Sequence, residues 1–403
     1  MPGLITERNF PTSWTIKRFK YCAQICNGGE YSDIEVEEGG YPVIGSGGEF
    51  ARASKFSYYG KSVLLGRKGT VDKPLFVDGA FWCVDTMFYT KINDFMYEKY
   101  LYYCALCFPF DYYVTSTALP SMTQRDLGSQ EITVPPRKEQ QAIADFLDKE
   151  CAQIDSITAD LEKQIELLQQ YKKSLITETV TKGLDKSVPM KDSGVEWIGE
   201  IPEHWRLKRL KYIAKLKTGT TPPGNEGINY DENGINWFTP SDFLPNMQLD
   251  TSEKYIDRET IRYENIQTYP RGSVLLVAIG ATVGKIGISK NNAYSNQQIT
   301  AVIPQHISGN YLLYYLASKS PYIKDNALYT TLPIINNSYL QNITIVVPPT
   351  TEQEKIVEFL NRKCSIIDEL IEDKNKLLLR LQQHKKALIY EYVTGKKRVK
   401  EVR

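Results

Sequence analysis

The chain has few of the features that mark a secreted protein, a membrane protein or an obvious nucleic-acid binder. Its 49 basic and 48 acidic side chains nearly cancel, so the bulk charge of +1 indicates neither a nucleic acid nor an acidic partner. It has no apolar run long enough for a signal peptide or a membrane span, which predicts a cytoplasmic protein. Any basic surface that binds a partner must therefore be local.

Cysteine and histidine are too few and too scattered to predict a disulfide framework or a zinc site. Seven cysteines is an odd number, and a chain of 403 residues can build hydrophobic cores without disulfides. Cys104 and Cys107 form a lone Cys-x-x-Cys in an apolar stretch, with no second pair and no histidine nearby. We expect buried thiols there, and no metal in this chain.

Catalytic signatures are missing as well. Residues 280–285 resemble a phosphate-binding loop, but the glycine spacing is one residue short, and Ile286 stands where a magnesium-binding Ser or Thr is required. The proline pairs follow Val or Thr, so the Asn-Pro-Pro-aromatic motif with which amino-methyltransferases hold a flipped base is absent. The sequence favours a binding or scaffolding subunit over an enzyme.

What the sequence does contain is a long internal repeat. Residues 134–181 and 347–394 align without a gap at a separation of 213 positions, and 23 of the 48 aligned pairs are identical. A shorter match joins residues 11–21 to 202–212 at a separation of 191. Self-similarity of this kind predicts two copies of one architecture, each with a divergent body and a preserved tail.

Each preserved tail predicts a long amphipathic helix. Apolar residues recur every seven positions, and no Pro or Gly interrupts residues 137–182. The predicted seam consists of Leu147, Ile154, Leu161, Leu168, Leu175, Leu360, Ile367, Leu381 and Leu388. Lys374 interrupts the second series, and the neighbouring register is assigned to Ile143, Ile157, Tyr171, Ile356, Leu370 and Leu377. A single helix of this type is usually a core helix, but two matched ones favour an antiparallel coiled coil.

The predicted fold class is mixed α/β, with two bodies joined by two long helices. The Val-Pro-Pro before each helix ends a strand, because proline neither donates to a sheet nor favours a helical residue before it. We expect a first body at 1–136, a first helix at 137–183, a linker at 184–200, a second body at 201–349, a second helix at 350–395 and a basic tail at 396–403.

Glycine-rich and polar loops in the bodies supply candidate binding residues. Glycine lets a backbone approach a partner closely, and Arg67 and Lys68 lie between two glycines. Side-chain amides can bind base edges, and hydroxyls suit phosphates or bases. The candidates are Ser46, Gly47, Gly48, Arg67, Lys68, Thr70, Thr115, Ser116, Thr117, Gly280, Thr282, Lys285, Asn296, Gln297, Gln298, Thr330 and Thr331. For any single one of these residues, an ordinary hairpin or polar turn is the favoured interpretation.

Three segments match a known family. They are Trp-Ile-Gly-Glu-Ile-Pro-Glu-His-Trp at 197–205 with the Lys-Arg-Leu-Lys after it, Ser-Val-Leu-Leu-Gly-Arg-Lys-Gly-Thr at 62–70, and the duplicated Val-Pro-Pro helix. Together they resemble the specificity subunit of type I restriction-modification systems, over about residues 8 to 395.

The resemblance implies a division of labour. In that family each body is a target recognition domain that reads one half of a split DNA site, and the two helices form the antiparallel coiled coil between them. The implied partners are double-stranded DNA, two methylase subunits and, in the full complex, restriction subunits. The family then implies a non-catalytic chain without a cofactor, with S-adenosylmethionine, ATP and Mg²⁺ expected on the partner subunits.

Two other interpretations remain open at this point. A coiled-coil adaptor with two protein-binding lobes shares the repeat, but it gives no reason for the Lys-Arg-x-Lys at the start of both bodies. A self-contained nuclease-methylase is disfavoured by chain length and by the missing motifs. Helices of about 40 residues are roughly 60 Å long, which corresponds to about 18 base pairs, so DNA reading predicts a bipartite site with a fixed spacer.

Overall fold

The computed structural model describes residues 11–113, 120–222, 224, 227–229, 232–263, 268–329 and 332–399. The chain divides into two compact units, unit 1 (Met1–Glu162 with Asn375–Arg403) and unit 2 (Lys163–Lys374). Both unit boundaries fall inside the predicted long helices and not at the ends of the bodies. Five candidate binding residues lie outside the described ranges, namely Thr115, Ser116, Thr117, Thr330 and Thr331.

The first body is a strand-rich fold with short helices. Its elements are β1 (Thr15–Arg18), β2 (Ala23–Asn27), β3 (Tyr41–Gly45), β4 (Gly48–Ala53), β5 (Tyr58–Gly66), β6 (Leu75–Cys83), β7 (Met87–Ile92), α1 (Glu98–Leu106), α2 (Phe110–Tyr113), α3 (Gln124–Gly128) and β8 (Glu131–Val134). One sheet has the order β2-β7-β5-β6-β3-β4, in which β3 and β6 run parallel. β1 pairs antiparallel with β8, so the first and last strands of the body lie side by side.

A long helix follows, and then a second body built on the same plan. The elements are α4 (Arg137–Lys182), β9 (Met190–Asp192), β10 (Glu200–Pro202), β11 (Arg206–Arg209), β12 (Ala214–Thr218), β13 (Ile228–Asn229), β14 (Ile235–Phe238), β15 (Gln248–Leu249), β16 (Tyr255–Ile256), α5 (Arg258–Tyr263), β17 (Val274–Val277), β18 (Ile286–Ser289), β19 (Tyr294–Ser295), β20 (Ile299–Pro304), α6 (Gly309–Asp325), β21 (Leu328–Tyr329), β22 (Pro333–Ile334), α7 (Asn337–Asn342), β23 (Thr344–Val347) and α8 (Thr350–Val393). The sheets of this body have the orders β12-β20-β17-β18-β15 and β13-β16-β14-β19. β11 pairs antiparallel with β23, as β1 does with β8.

The two long helices pack antiparallel against each other in each unit. In unit 1 the Lys385 ammonium lies 2.6 Å from the Asp155 carboxylate, and in unit 2 Lys172 lies 2.7 Å from Asp368. The two ion pairs are equivalent in the repeat, because both aspartates and both lysines are separated by 213 positions. The predicted antiparallel coiled coil is confirmed.

The residues of the predicted seam are more buried than those of the neighbouring register. Six seam residues are buried and three are half-buried, the latter being Leu168, Leu175 and Leu381. Ile143 and Ile356 are also buried. The rest of that register is exposed, because a two-helix pairing covers only a narrow stripe of each helix. Its exposed members are Ile157, Tyr171, Leu370 and Leu377, at 47%, 55%, 45% and 42%.

A buried glutamine fixes the start of each long helix to its body. The Gln140 side chain donates to the Pro135 carbonyl at 2.8 Å and accepts the Tyr97 N–H at 2.7 Å. Gln353 accepts the Ser308 N–H at 2.9 Å in the same way. These glutamines belong to the duplicated Glu-Gln of the Val-Pro-Pro helix, so this part of the motif anchors the helix to the body.

In each unit, a buried tyrosine forms a hydrogen bond with the C-terminal turn of the long helix that ends in that unit. The Tyr100 hydroxyl lies 3.1 Å from the carbonyl oxygens of Thr133 and of Val393, near the end of α8. In unit 2 the Tyr311 hydroxyl lies 3.0 Å from the carbonyl of Val180, near the end of α4. Burial raises the pKa of both tyrosines well above the usual value, so the hydroxyls remain protonated donors. Each satisfies a carbonyl at the end of a helix, where intrahelical partners run out.

The segment expected to be a linker, 184–200, is a folded part of unit 2. β9 pairs with β10, and Ile198 is buried. The Trp197 ring packs over the ammonium group of Lys319 on α6, and its centroid lies 5.7 Å from that of Tyr322. The expectation of a linker overlooked these apolar side chains in a mainly polar segment.

The seven cysteines are all free, and most are buried. Burial raises the pKa of the Cys22 thiol to about 11 and that of Cys83 to about 12. Within the described ranges, no three His, Cys, Asp or Glu side chains converge as metal ligands would. No helix in the same ranges combines the length and the apolar run of a bilayer span.

Candidate nucleic-acid interface

The Gly-Arg-Lys-Gly loop of the first body is held against the turn at Asp85 and Thr86. The backbone N–H groups of Arg67 and Lys68 both donate to the Thr86 carbonyl, at 2.9 and 3.2 Å. The Arg67 guanidinium donates to the Asp85 carbonyl at 3.2 Å and lies 5.8 Å from the Phe88 ring centroid. Lys68 is exposed. The fold therefore positions Arg67 and leaves the Lys68 ammonium available to a ligand.

A glycine at the end of the first sheet strand packs against the equivalent turn in both bodies. A Cβ on Gly28 would lie 1.9 Å from the Val84 carbonyl oxygen, and one on Gly219 would lie 2.0 Å from that of Asn296. The two glycines are 191 positions apart, so they are equivalent in the repeat. Neither is among the predicted site residues. Extending the upstream match at the same separation would have identified them.

The residue before each of these glycines binds a short helix. The Asn27 side-chain oxygen accepts a hydrogen bond from the Gln124 amide at 3.0 Å, and the Thr218 hydroxyl accepts one from the Asn337 amide at 2.9 Å. Gln124 begins α3 and Asn337 begins α7, and they are 213 positions apart. Sequence reasoning missed this pair, although the separation of the second repeat would have shown it.

The predicted amide residues of the second body come together beside this glycine. The Thr221 hydroxyl donates to the Gln297 side-chain oxygen, and the Asn296 amide donates to that of Gln298 at 2.9 Å. A Cβ on Gly280, whose φ is +108°, would lie 3.3 Å from the Gln298 amide nitrogen. Four of the predicted residues therefore form one polar cluster, in which the amides already bind neighbouring side chains and the exposed Gln297 lies at the surface.

The remaining candidates are less closely grouped. The turn of Ser46, Gly47 and Gly48 joins β3 to β4, and it follows Gly45, which packs near Val84. Thr70 closes the loop that holds Arg67. A Cβ on Gly66 would lie 2.4 Å from the Thr70 carbonyl oxygen.

Two further candidates of the second body, Thr282 and Lys285, lie in the turn that begins at Gly280. Thr282 lies on an exposed turn, and the Lys285 ammonium is 3.5 Å from the Phe243 carbonyl. Lys285 lines a cavity of about 360 Å³ together with Leu244 and Ser320. These two residues are not brought to the Asn296–Gln298 cluster by any contact that the structure shows.

Comparison with known proteins gives a consistent result. The family model "Type I restriction modification DNA specificity domain" matches residues 11–167 and 202–380. The chain is 32% identical to the type I restriction enzyme MjaIX specificity subunit of Methanocaldococcus jannaschii over 185 residues, which is 44% of this chain and 41% of the relative. It is 29% identical to the MjaVIII specificity subunit of the same organism over 316 residues, which is 71% of this chain and 66% of that one. The chain thus spans between about two fifths and two thirds of the length of these relatives.

Solved structures share the fold. A chain from a study of complex assembly and conformational transition of the type I R-M system aligns with a TM-score of 0.73 at 17% identity, over 96% of this chain and 99% of the other. The HsdS subunit of Thermoanaerobacter tengcongensis aligns with a TM-score of 0.50 at 16% identity, over 97% of this chain and 99% of that subunit.

Proposed function

Because the chain belongs to the family of type I restriction modification DNA specificity domains, we propose that it is a specificity subunit that reads a bipartite site in double-stranded DNA. Each body reads one half-site in this proposal. In this proposal the chain contributes DNA recognition, and the methylase and restriction subunits supply S-adenosylmethionine, ATP and Mg²⁺ chemistry.

The observation that carries the proposal is a shared scaffold with different side chains. In both bodies the glycine after the first sheet strand, the residue before it and the amide at the start of the short helix form the same arrangement, which we call the corner. It consists of Asn27, Gly28 and Gln124 in the first body and of Thr218, Gly219 and Asn337 in the second. The side chains at equivalent positions differ. Lys68, whose N–H donates to the Thr86 carbonyl, corresponds to Ile279, whose N–H donates to the Gln298 carbonyl, and Gln297 of the second body corresponds to Asp85 of the first. Lysine suits guanine in the major groove, and a side-chain amide suits adenine. Two such corners fit two different half-sites.

An apolar residue that is exposed at the same position on both long helices supports the binding of two copies of one protein partner. Ile157 and Leu370 are equivalent in the repeat and are exposed to a similar extent, 47% and 45%. An apolar residue repeated on both helices provides the same contact twice. We propose that each contact belongs to one methylase subunit, and a native mass spectrum of the complex should show two methylases for each copy of this chain.

Methylome sequencing of cells that express this chain with its methylase tests the proposal. We expect a methylated motif with two defined half-sites and a constant spacer. Lys68→Ala should relax one half-site and leave the other unchanged, whereas Lys55→Ala, an exposed lysine on a different loop, should leave both intact. The absence of any methylated motif, together with duplex binding that does not weaken with salt, would support the protein adaptor instead.

A further inference from the structure

Both bodies begin with a row of exposed cations that ends in an exposed tyrosine. We call these rows entrance patch 1, which is Lys17, Arg18, Lys20 and Tyr21, and entrance patch 2, which is Lys208, Arg209, Lys211 and Tyr212. All eight side chains are exposed, the two tyrosines by 60% and 65%. Phe19 and Leu210 are fully buried beneath the patches and hold the backbone in a short 3-10 turn. The same local fold therefore points the same side chains outwards twice.

The details of the two patches agree as well. The Lys20 ammonium lies 5.0 Å from the Tyr21 ring centroid, and the Lys211 ammonium lies 5.3 Å from that of Tyr212. Arg209 donates to the neutral Asn342 side chain at 2.9 Å. In the described part of the chain, none of the six cations forms an ion pair with an acidic side chain. Glu131 lies opposite Arg18 in the β1–β8 pair but forms no ion pair with it, so all six cationic groups are available to an anionic partner.

Each patch lies one short helix away from the corner proposed to read bases. In the first body, Gly128 at the end of α3 packs against Lys20, and Gln124 at its start binds Asn27. In the second body α7 makes the same connection, from Arg209 to Thr218. Helices of five or six residues advance by about 6 to 8 Å. Since phosphates follow one another every 3.4 Å of axis along each strand, a patch would meet the backbone within a few nucleotides of the bases.

We propose that the two entrance patches bind the phosphate backbone of DNA beside each half-site, independently of the base sequence. The inference rests on the proposed function. The patches have the same charges and the same tyrosine, whereas the base-reading corners differ, so their ligand must be common to both half-sites. The phosphate backbone is the part that duplexes of different base sequence share. Lysine, arginine and tyrosine are among the side chains that donate to them.

The test uses the full chain purified with its methylase and a fluorescent duplex of about 40 base pairs with arbitrary sequence. Its dissociation constant is measured across a range of potassium chloride concentrations. The variant K208Q/R209Q/K211Q should lower the slope of log affinity against log salt by roughly 0.9 for each lost phosphate contact. K17Q/R18Q/K20Q should have a similar effect, and the methylated motif of both variants should keep its two half-sites.

A charge-matched control separates a local contact from bulk charge. K163Q/K186Q/K290Q removes the same formal charge, but from lysines that pair with Glu166, Glu178 and Asp250. We expect this control to keep the wild-type salt slope. The variant K208R/K211R, which retains the charges, should also keep it. Thermal melts confirm that each variant folds.

Two results would overturn the inference. One is a salt slope in both patch variants equal to that of the control. The other is loss of the methylase from the patch variants in native mass spectra, which would make the patches a protein-docking surface. A wild-type complex that binds every duplex equally would contradict the proposed function instead, and the salt slopes would still decide the role of the patches.

Discussion

Single glycines determine how closely two loops approach in each body. Gly28→Ala would place a methyl group against the Val84 carbonyl oxygen, and backbone atoms cannot move aside as a flexible side chain can. We expect a loss of about 1–3 kcal/mol in the free energy of unfolding and a weakened first half-site. Urea melts and methylome sequencing measure the two effects. Gly47→Ala is the control for stability, because nothing lies within 4 Å of its new methyl group. Equal stability of both variants would contradict the expected clash.

Lys319 makes a pH-dependent contribution to the stability of unit 2. It is 5% exposed against Trp197, and burial lowers its pKa to about 7. In the unfolded chain its pKa is near the ordinary 10.4. Between about pH 7 and 10 the unfolded chain therefore binds a proton that the folded chain does not, so this contribution to the free energy of unfolding rises with pH. Contact with the Trp197 ring favours the ammonium and reduces the effect.

Chemical unfolding of the wild type and of Lys319→Met at several pH values checks this prediction. The difference in free energy of unfolding should shift in favour of the wild type as the pH rises from about 7 to 10. Using the difference removes the titration of the cysteines and tyrosines common to both proteins. A difference that is constant over this range would show that Lys319 titrates normally in the fold.

At the scale of the element, the long helices depend on polar anchors at both ends. Tyr311→Phe would remove the hydroxyl hydrogen that the carbonyls of Val180 and Val346 share. An unsatisfied buried carbonyl costs about 1–3 kcal/mol, and we expect a loss of that order in the free energy of unfolding. Tyr263→Phe, at a tyrosine that is 87% exposed, should have little effect. Similar stability of the two variants would show that other donors replace the Tyr311 hydroxyl.

The long helices are the elements that could be predicted from the sequence. The expected bounds 137–183 and 350–395 differ by at most two residues from Arg137–Lys182 and Thr350–Val393. Helix formation depends on near neighbours, so an uninterrupted heptad pattern carries most of the information. The sheets could not be derived in the same way. The parallel pairing of β3 with β6 joins Val43 to Trp82, and no local pattern specifies that partner.

The candidate site was predictable in part for the same reason. Glycine-rich loops and clustered amides are visible in the sequence, and Gly280 and Asn296 do lie together. Gln124 and Asn337 are ordinary amides at helix starts. Their roles appear only through partners that are 97 and 119 positions away. A residue whose role depends on so distant a contact cannot be recognised from its neighbours in the sequence. Only the internal repeat indicates it.

At the scale of the whole molecule, we expect the length of the helices to set the DNA spacer. Seven residues inserted after Asp160, with seven more after Asp373, keep the heptad seam and lengthen both helices by about 10 Å. That length corresponds to about three base pairs, so the preferred spacer should change by that amount, with a rotation about the duplex that can alter the optimum. Methylome sequencing of the double insertion measures the spacer. An active complex with the original spacer would show that the helices are not the ruler.

The distribution of the cysteines gives the protein a built-in chemical reporter. Thiol reagents attack the thiolate, and burial suppresses it at Cys22, Cys83 and Cys104, whose pKa values are raised. Cys26 is half-buried on β2, next to the Asn27 corner of the first body, and Lys217 takes its place in the second. A maleimide dye should therefore label the first body selectively under mild conditions. Protection of Cys26 by DNA would then report the occupancy of one half-site without any engineered residue.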